Sequence, residues 1–340
     1  MAARSTARSK NRDSDSQLEF FKLTFQGLQT AESPKATAES PQTEPTSLEV
    51  AEPESTSAPA ASEEIHLPPL ENLPAEEVPL RNQNNYRISD ADRLGVGSLK
   101  AKCKANLEAI ELLKIAESQS FPAEHAAKQT LIRYVGWGGL PQVFDSLNES
   151  WKEEREKLEK LLTPEELESA RATTLNAHYT APVVITAMYA TLQRLGFEHG
   201  RILEPACGVG HFIGLMPGEM HSRSQITGIE IDSITARLAK VLYPDADIRH
   251  QPFEESKLAD GFYDVAISNI PFGNYKPYDP RFKSWNFLIH DYFFAAALEK
   301  VRPGGLILFI TSRGTFDKGR SSSRIRLAES GFDCSHPAAQ

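Results

Sequence analysis

At 340 residues and a net charge of −9, the chain has length for two ordinary domains and a balance that would set it against a polyanionic partner. That charge is local: residues 31–80 hold one basic side chain, Lys35, against eleven glutamates, so the remainder sits near +1 and charge excludes neither nucleic acid nor any other partner. The basic opening MAARSTARSKNR lacks a signal peptide's apolar core, no stretch approaches the ~20 apolar residues of a membrane span, and three scattered cysteines exclude a disulfide framework, which predicts a soluble, cytoplasmic protein.

In chain order, residues 1–82 form an acidic, proline-rich tail. Its 31–80 tract carries nine prolines and no Phe, Tyr or Trp, too little apolar surface to offset ordering entropy, so the tail is expected to be disordered. One amphipathic stretch inside it, LEFFKLTFQGL at 18–28, is open between a docking element and a few apolar residues in a tail. Order is expected from about Tyr86. Residues 83–172 then read as a helical leader. The segment 98–118 places Leu107, Ile110, Leu113 and Ala116 at helical spacing, and a second helix is expected over 123–134. Gly136, Gly138 and Gly139 break the chain around Trp137. A charged helix follows over 151–162, and Thr163, Pro164 and Glu166 compose a capping box that starts another through Ala172.

From residue 173 helices alternate with short apolar runs. Helices are expected over 182–195, 234–242 and 290–301, and strands over 201–203, 225–231, 248–250, 263–268 and 306–311. That alternation predicts an α/β domain over 173–340 with a mostly parallel, Rossmann-like sheet and ligands at the carboxyl ends of its strands.

The loops at those strand ends carry the chemistry. After the first strand stands EPACGVGHF, whose Gly208 and Gly210 allow backbone to approach a ligand closely, although the spacing misses the dinucleotide pattern and a glycine pair alone also suits a structural turn. The second strand ends in GIEID, which puts Glu230 about 20 residues beyond that turn, where a carboxylate accepts hydrogen bonds from ribose hydroxyls. Together they favour a nucleoside-containing cofactor. The fourth strand ends in SNIPFG: an amide, a proline-fixed turn and an aromatic ring side by side. Adenine's exocyclic amine is a poor nucleophile because its lone pair is delocalised into the ring. Acceptors from the Asn269 side chain and the Ile270 carbonyl would favour the tetrahedral nitrogen, and Phe272 would stack on the base. The bland alternative is an Asn-x-Pro turn beside a core phenylalanine. The histidines show no metal-ligand spacing, so no metal ligands are assigned.

The motifs LEPACGVGHF, GIEID and SNIPF, preceded by AHYT, resemble the amino-methyltransferases that act on adenine N6. More narrowly, YVGWGGLPQVFD, HYTAPVVITAMY, IHDYFFAAALEKVRPGG and ITSRGTFDK resemble the methylase region of large phage- and plasmid-type adenine-specific DNA methylases, which often continue into a helicase. The likeness spans 86–318. It implies a Rossmann-like methyltransferase domain, S-adenosylmethionine as cofactor, DNA with a flipped or single-stranded adenine as substrate, and a helicase region or subunit as partner. It implies that His178, Tyr179 and Thr180 and the turn from Glu204, Pro205 and Ala206 through Gly208 and Gly210 hold the methionine part, with Glu204 near its amino group. Glu230 would bind the ribose, Ile231 and Phe253 would also belong to the cofactor site, and Asn269, Ile270, Pro271 and Phe272 would form the catalytic loop. Two departures stand out: Pro252 occupies the place of an acidic residue before Phe253, and Ile270 replaces the first proline of Asn-Pro-Pro-aromatic. The resemblance further implies a final helix, a strand hairpin and a target-recognition domain, for which the residues after Lys318 are too few, so the chain resembles a truncated member. Two other functions fit the same motifs: methylation of RNA or of protein glutamine, and a non-catalytic cofactor- or DNA-binding module.

Overall fold

The computed structural model describes residues 80–119, 125–175, 179–312 and Thr315. The expectations for residues 1–79 and for His178 lie outside them. Five strands, β1 (Arg201–Glu204), β2 (Gln225–Glu230), β3 (Asp247–His250), β4 (Tyr263–Asn269) and β5 (Val301–Ile310), form one sheet in the order β3-β2-β1-β4-β5, and every neighbouring pair is parallel. The Rossmann-like α/β expectation holds.

Period-two alternation divides the sheet's side chains between two cores. Ile202, Ile226, Val265 and Ile267 face one side, with Leu306, Leu308 and Ile310 packed against them. Leu203, Ile229 and Ala266 face the other, joined by Ile307 and Phe309. The first face shares its core with the leader: α1 (Leu99–Gln119), α2 (His125–Leu131), α3 (Lys152–Leu161) and α4 (Pro164–Ala172). It is also covered by α5 (Pro182–Arg194), the short α6 (His211–Leu215) and α7 (Gly218–Arg223), and α8 (Ser233–Leu242). The second face is covered by α9 (Ile289–Lys300), ten of whose twelve residues are buried. Leu107, Ile110 and Leu113 of α1 share one core with the sheet, each burial contributing about 2 kcal/mol. Leader and sheet therefore share one core.

The α4 capping box forms as its sequence predicts: Thr163 Oγ1 accepts the Glu166 N–H at 3.2 Å and Glu166 Oε2 accepts the Thr163 N–H at 2.9 Å. Glu166 also meets Lys114 of α1 at 2.7 Å and Arg237 of α8 at 2.5 Å. One carboxylate thus ties two leader helices to a helix of the sheet.

Several boundaries differ from expectation. The second leader helix ends at Leu131, because Arg133 and Tyr134 donate to carbonyls three residues back and turn the chain toward Gly136. The helices α6 and α7 are too short to register as a periodic pattern. Strand β5 begins at Val301, running through Pro303 and Gly304 with a register irregularity opposite Tyr263 and Val265. The described structure begins at Leu80, and polar bonds hold the residues ahead of Tyr86. The Arg81 N–H donates to the Ser222 carbonyl at 2.6 Å, and the Asn82 amide, 5% exposed, donates to the His221 and Ser224 carbonyls at 2.5 and 2.8 Å. Asn84 bonds Asp245 through backbone and side chain. Polar side chains bonded to distant backbone fix this segment, which leaves no apolar period to read. Among the described residues no helix is long and apolar enough to cross a membrane.

Asn82 also adopts a left-handed backbone, φ 58°. Replacing Asn82 by Ala removes two buried hydrogen bonds and adds backbone strain, an expected loss of about 2–4 kcal/mol. Urea denaturation is the measurement; an unchanged midpoint and slope would contradict this account.

Candidate functional site

A cavity of about 350 Å³ opens at the carboxyl ends of β1, β2, β3 and β4, within the range of small-ligand sites. The turn after β1 forms its floor. There Gly208 and Gly210 take positive φ, 55° and 83°, and the Gly210 N–H closes the turn on the Cys207 carbonyl at 2.8 Å. A Cβ on Gly210 would run into the Tyr243 ring, so that glycine is required by packing. A Cβ on Gly208 would lie 3.6 Å from the Tyr179 ring, which in turn stands edge-on to His211 at 4.9 Å. Burial pushes the His211 imidazole down to about 4, so it is neutral at pH 7.

Four carboxyls line the cavity: Glu204, Glu230, Asp232 and Glu254. No lysine or arginine stands among the described lining residues, which suits a ligand rich in donors and positive charge and disfavours a pyrophosphate. Glu204 is 2% exposed, and its Oε2 has no hydrogen-bond partner among the described residues. Burial, reinforced by the Glu230 charge, holds its carboxyl well above the usual carboxylate range. Glu230 is half-buried and its two oxygens accept the Gly208 and Asp232 N–H groups, both at 2.8 Å. Burial first, with the Asp232 charge opposed by those N–H donors, leaves its carboxyl pushed up to about 7. Asp232 has a structural task. It caps α8 through the Thr235 N–H at 2.9 Å and accepts the Ser169 hydroxyl at 2.7 Å, joining α4 to the cavity. The Glu254 carboxyl is also raised, by burial first and then by Glu255 and Asp279.

The leader supplies one wall. Buried Asn106 of α1 accepts the Val135 N–H at 2.8 Å and donates to the Gly136 carbonyl at 2.7 Å, which fixes the turn that places Tyr134 and Gly136 in the lining. Trp137 is buried beneath it, edge-on to Tyr134 and Phe144.

Of the residues singled out in the sequence, Tyr179, Thr180, Glu204, Pro205, Ala206, Gly208, Glu230, Ile231, Phe253, Asn269 and Pro271 line this one cavity. Three do not. Gly210 lies outside the lining and shapes the turn, and the Ile270 side chain is 1% exposed in the second core, its N–H donating to the Ile310 carbonyl at 3.1 Å. Phe272 is half-buried and outside the lining. Sequence reading missed Tyr134 and Ser169 of the leader and Thr173 just beyond it, which adjoin the site only through tertiary packing. It also missed Glu254, although an acid next to Phe253 is a readable signal.

The Glu204 carboxyl gives a stability prediction. Its folded-state value is raised above the ordinary ~4.3, so between those two values the native protein retains a proton that the unfolded chain releases. Stability is therefore lost as pH rises through that window. Glu204→Gln removes this cost, and its melting temperature is expected to exceed the parent's by a margin that grows as pH rises above the ordinary ~4.3. Calorimetric melting that shows a pH-independent margin would refute it.

No protein-family model matches the chain. Over 158 residues it is 25% identical to the defense against restriction protein B of Escherichia phage P1, a match covering 45% of this chain and 7% of that protein's length. Among solved structures, it is similar to a putative class I S-adenosylmethionine-dependent methyltransferase of Listeria monocytogenes, with a TM-score of 0.38 and 18% identity over 66% of this chain and 78% of that one. It is also similar to the methyltransferase subunit of a type I restriction-modification system from Streptococcus thermophilus, with a TM-score of 0.36 and 14% identity over 66% of this chain and 59% of that one.

Proposed function

We propose that this chain is an S-adenosylmethionine-dependent methyltransferase acting on the N6 amine of adenine in DNA. The observation that carries this reading is the convergence of the glycine turn, Glu204, Glu230 and the Asn269 loop on one acidic cavity. The partnerless oxygen of Glu204 suits an ammonium group, and the carboxylate of Glu230 suits a pair of ribose hydroxyls. Phe253 offers a face to an adenine ring, and Glu254 supplies the acceptor for its amine that Pro252, one residue ahead of Phe253, lacks. When bound, the cofactor supplies an electrophilic methyl group on a sulfonium.

The chain's own residues handle the nucleophile. Asn269 ends β4 at the cavity, and its side chain and the Ile270 carbonyl accept the two amine hydrogens, which favours the tetrahedral nitrogen. Phe272, outside the lining but next to Pro271 within it, is the ring we assign to stacking on the extruded base. Proximity and acceptor placement supply the rate, and duplex adenine must leave the stack to be reached, so a helicase region or subunit that delivers single strands is a fitting partner.

Incubation with methyl-labelled cofactor and mixed DNA, followed by nucleoside analysis, is expected to yield N6-methyladenine. Label released by RNase or protease instead would transfer the reading to RNA or protein glutamine, and cofactor binding without transfer would leave a binding module. Asn269→Ala is expected to lose about 10² to 10³ in rate with unchanged affinity for S-adenosylhomocysteine. Wild-type turnover in that variant would reduce the Asn269 loop to a structural turn.

Glu230 adds a pH dependence. Ribose hydroxyls donate to its ionised form, so S-adenosylhomocysteine affinity is expected to fall as pH drops below about 7, by at most tenfold per pH unit. Glu230→Gln should flatten that profile in calorimetry; a variant profile identical to the parent's would assign the proton elsewhere.

A further inference from the structure

The loop between β4 and α9, residues 270–288, is held rigid by groups that play no part in the reading above. Asp279, 3% exposed, accepts the Arg281 N–H at 2.9 Å, the Arg281 guanidinium at 2.7 Å and the Tyr292 hydroxyl at 2.9 Å. Arg281 reaches on to Glu299 at 2.8 Å, so the loop is clamped to both ends of α9. The Ile289 N–H donates to the Tyr275 carbonyl at 3.0 Å, and the rings of Phe282, Phe287 and Tyr292 pack beneath.

This fixed loop turns aromatic and basic side chains outward. Tyr278 is 70% and Tyr275 46% exposed, although each carries a ring that the adjacent aromatic core would accept. Lys276 and Lys283 are exposed and make no ion pair among the described residues, whereas Arg281 and Asp279 neutralise each other. Tyr275 also lines the cavity beside Asn269 and Pro271, so the surface is continuous with the site. Exposed rings alternating with unpaired lysines on a preorganised loop match the way proteins hold single strands: bases stack on the rings and phosphates meet the ammonium groups.

Resting on the methyltransferase reading for the identity of the nucleic acid, we propose that this loop is a platform for single-stranded DNA. Tyr278 stacks a base flanking the target, Lys276 and Lys283 hold its phosphates, and the strand passes over Tyr275 into the cavity.

The test is fluorescence anisotropy of the full chain with a labelled, adenine-containing DNA strand of about 12 nucleotides, a span that one such platform engages. Tyr278→Ala is expected to weaken binding about 5- to 100-fold, and Tyr278→Phe to retain it. The double variant Lys276→Ala, Lys283→Ala should weaken binding and reduce the slope of log affinity against log salt by about 1.4. S-adenosylhomocysteine affinity, measured in parallel, should not change in either variant. Parent-like DNA affinity in both variants overturns the proposal, as does tighter binding of duplex DNA or of an RNA strand of the same sequence. Because the readout is binding, the loop assignment stands if no methyl transfer is found but these losses occur. It falls if transfer is found and they do not.

Discussion

The site depends on the parallel pairing of β1 with β2 and β4. Because all three strands run the same way, their carboxyl ends open at one edge of the sheet, and Glu204, Glu230 and Asn269 arrive there together from positions far apart in the chain. An antiparallel neighbour would send one of them to the opposite edge. The pairing also sets the turn after β1 against β2, where the Cys207 N–H bonds the Ile229 carbonyl at 2.9 Å and the Gly208 N–H reaches Glu230. The glycine turn and the acid that faces it are thus parts of one hydrogen-bonded unit.

That unit is electrostatically costly. Two carboxyls are withdrawn from water, Glu204 raised further by the Glu230 charge and Glu230 by that of Asp232, and the cavity also takes in a buried, neutral histidine, with no basic side chain in the described lining. Stability gained elsewhere offsets such an arrangement, and a ligand that brings donors and positive charge would relieve it. The offset is visible in the leader. Its helices share the core of the sheet, Glu166 fastens α4 to α1 and α8, and Asn106 fixes the turn that encloses the cavity. The leader is therefore a wall of the site as well as part of the fold.

Much of this was legible in the sequence because local rules agreed with one another. The Thr163–Glu166 capping box, the α1 apolar face at Leu107, Ile110 and Leu113, and the alternation of strands with helices each depend on residues within a few positions. Most motif residues that line the cavity were readable for the same reason, since they end a strand or sit just beyond one, whereas Tyr179 and Thr180 lie just ahead of α5. Local signals failed where geometry came from afar. Asn82 is ordered by carbonyls about 140 residues away, and nothing in its own neighbourhood announces that. Ile270 and Gly210 adjoin the cavity in sequence, yet packing turns the first into the core and uses the second to clear space for Tyr243.

The sequence by itself determined the order of helices and strands, the class of the sheet, and which turns carry acids, glycines and an amide, because periodicity and turn chemistry are properties of neighbouring residues. Only the tertiary structure decided that these turns meet in one cavity, that Tyr134 and Ser169 of the leader and the adjoining Thr173 enclose it, and that the Asp279 clamp presents Tyr278 outward beside it. Those outcomes rest on strand order, burial and long-range hydrogen bonds, which depend on the whole chain and leave no local pattern to read.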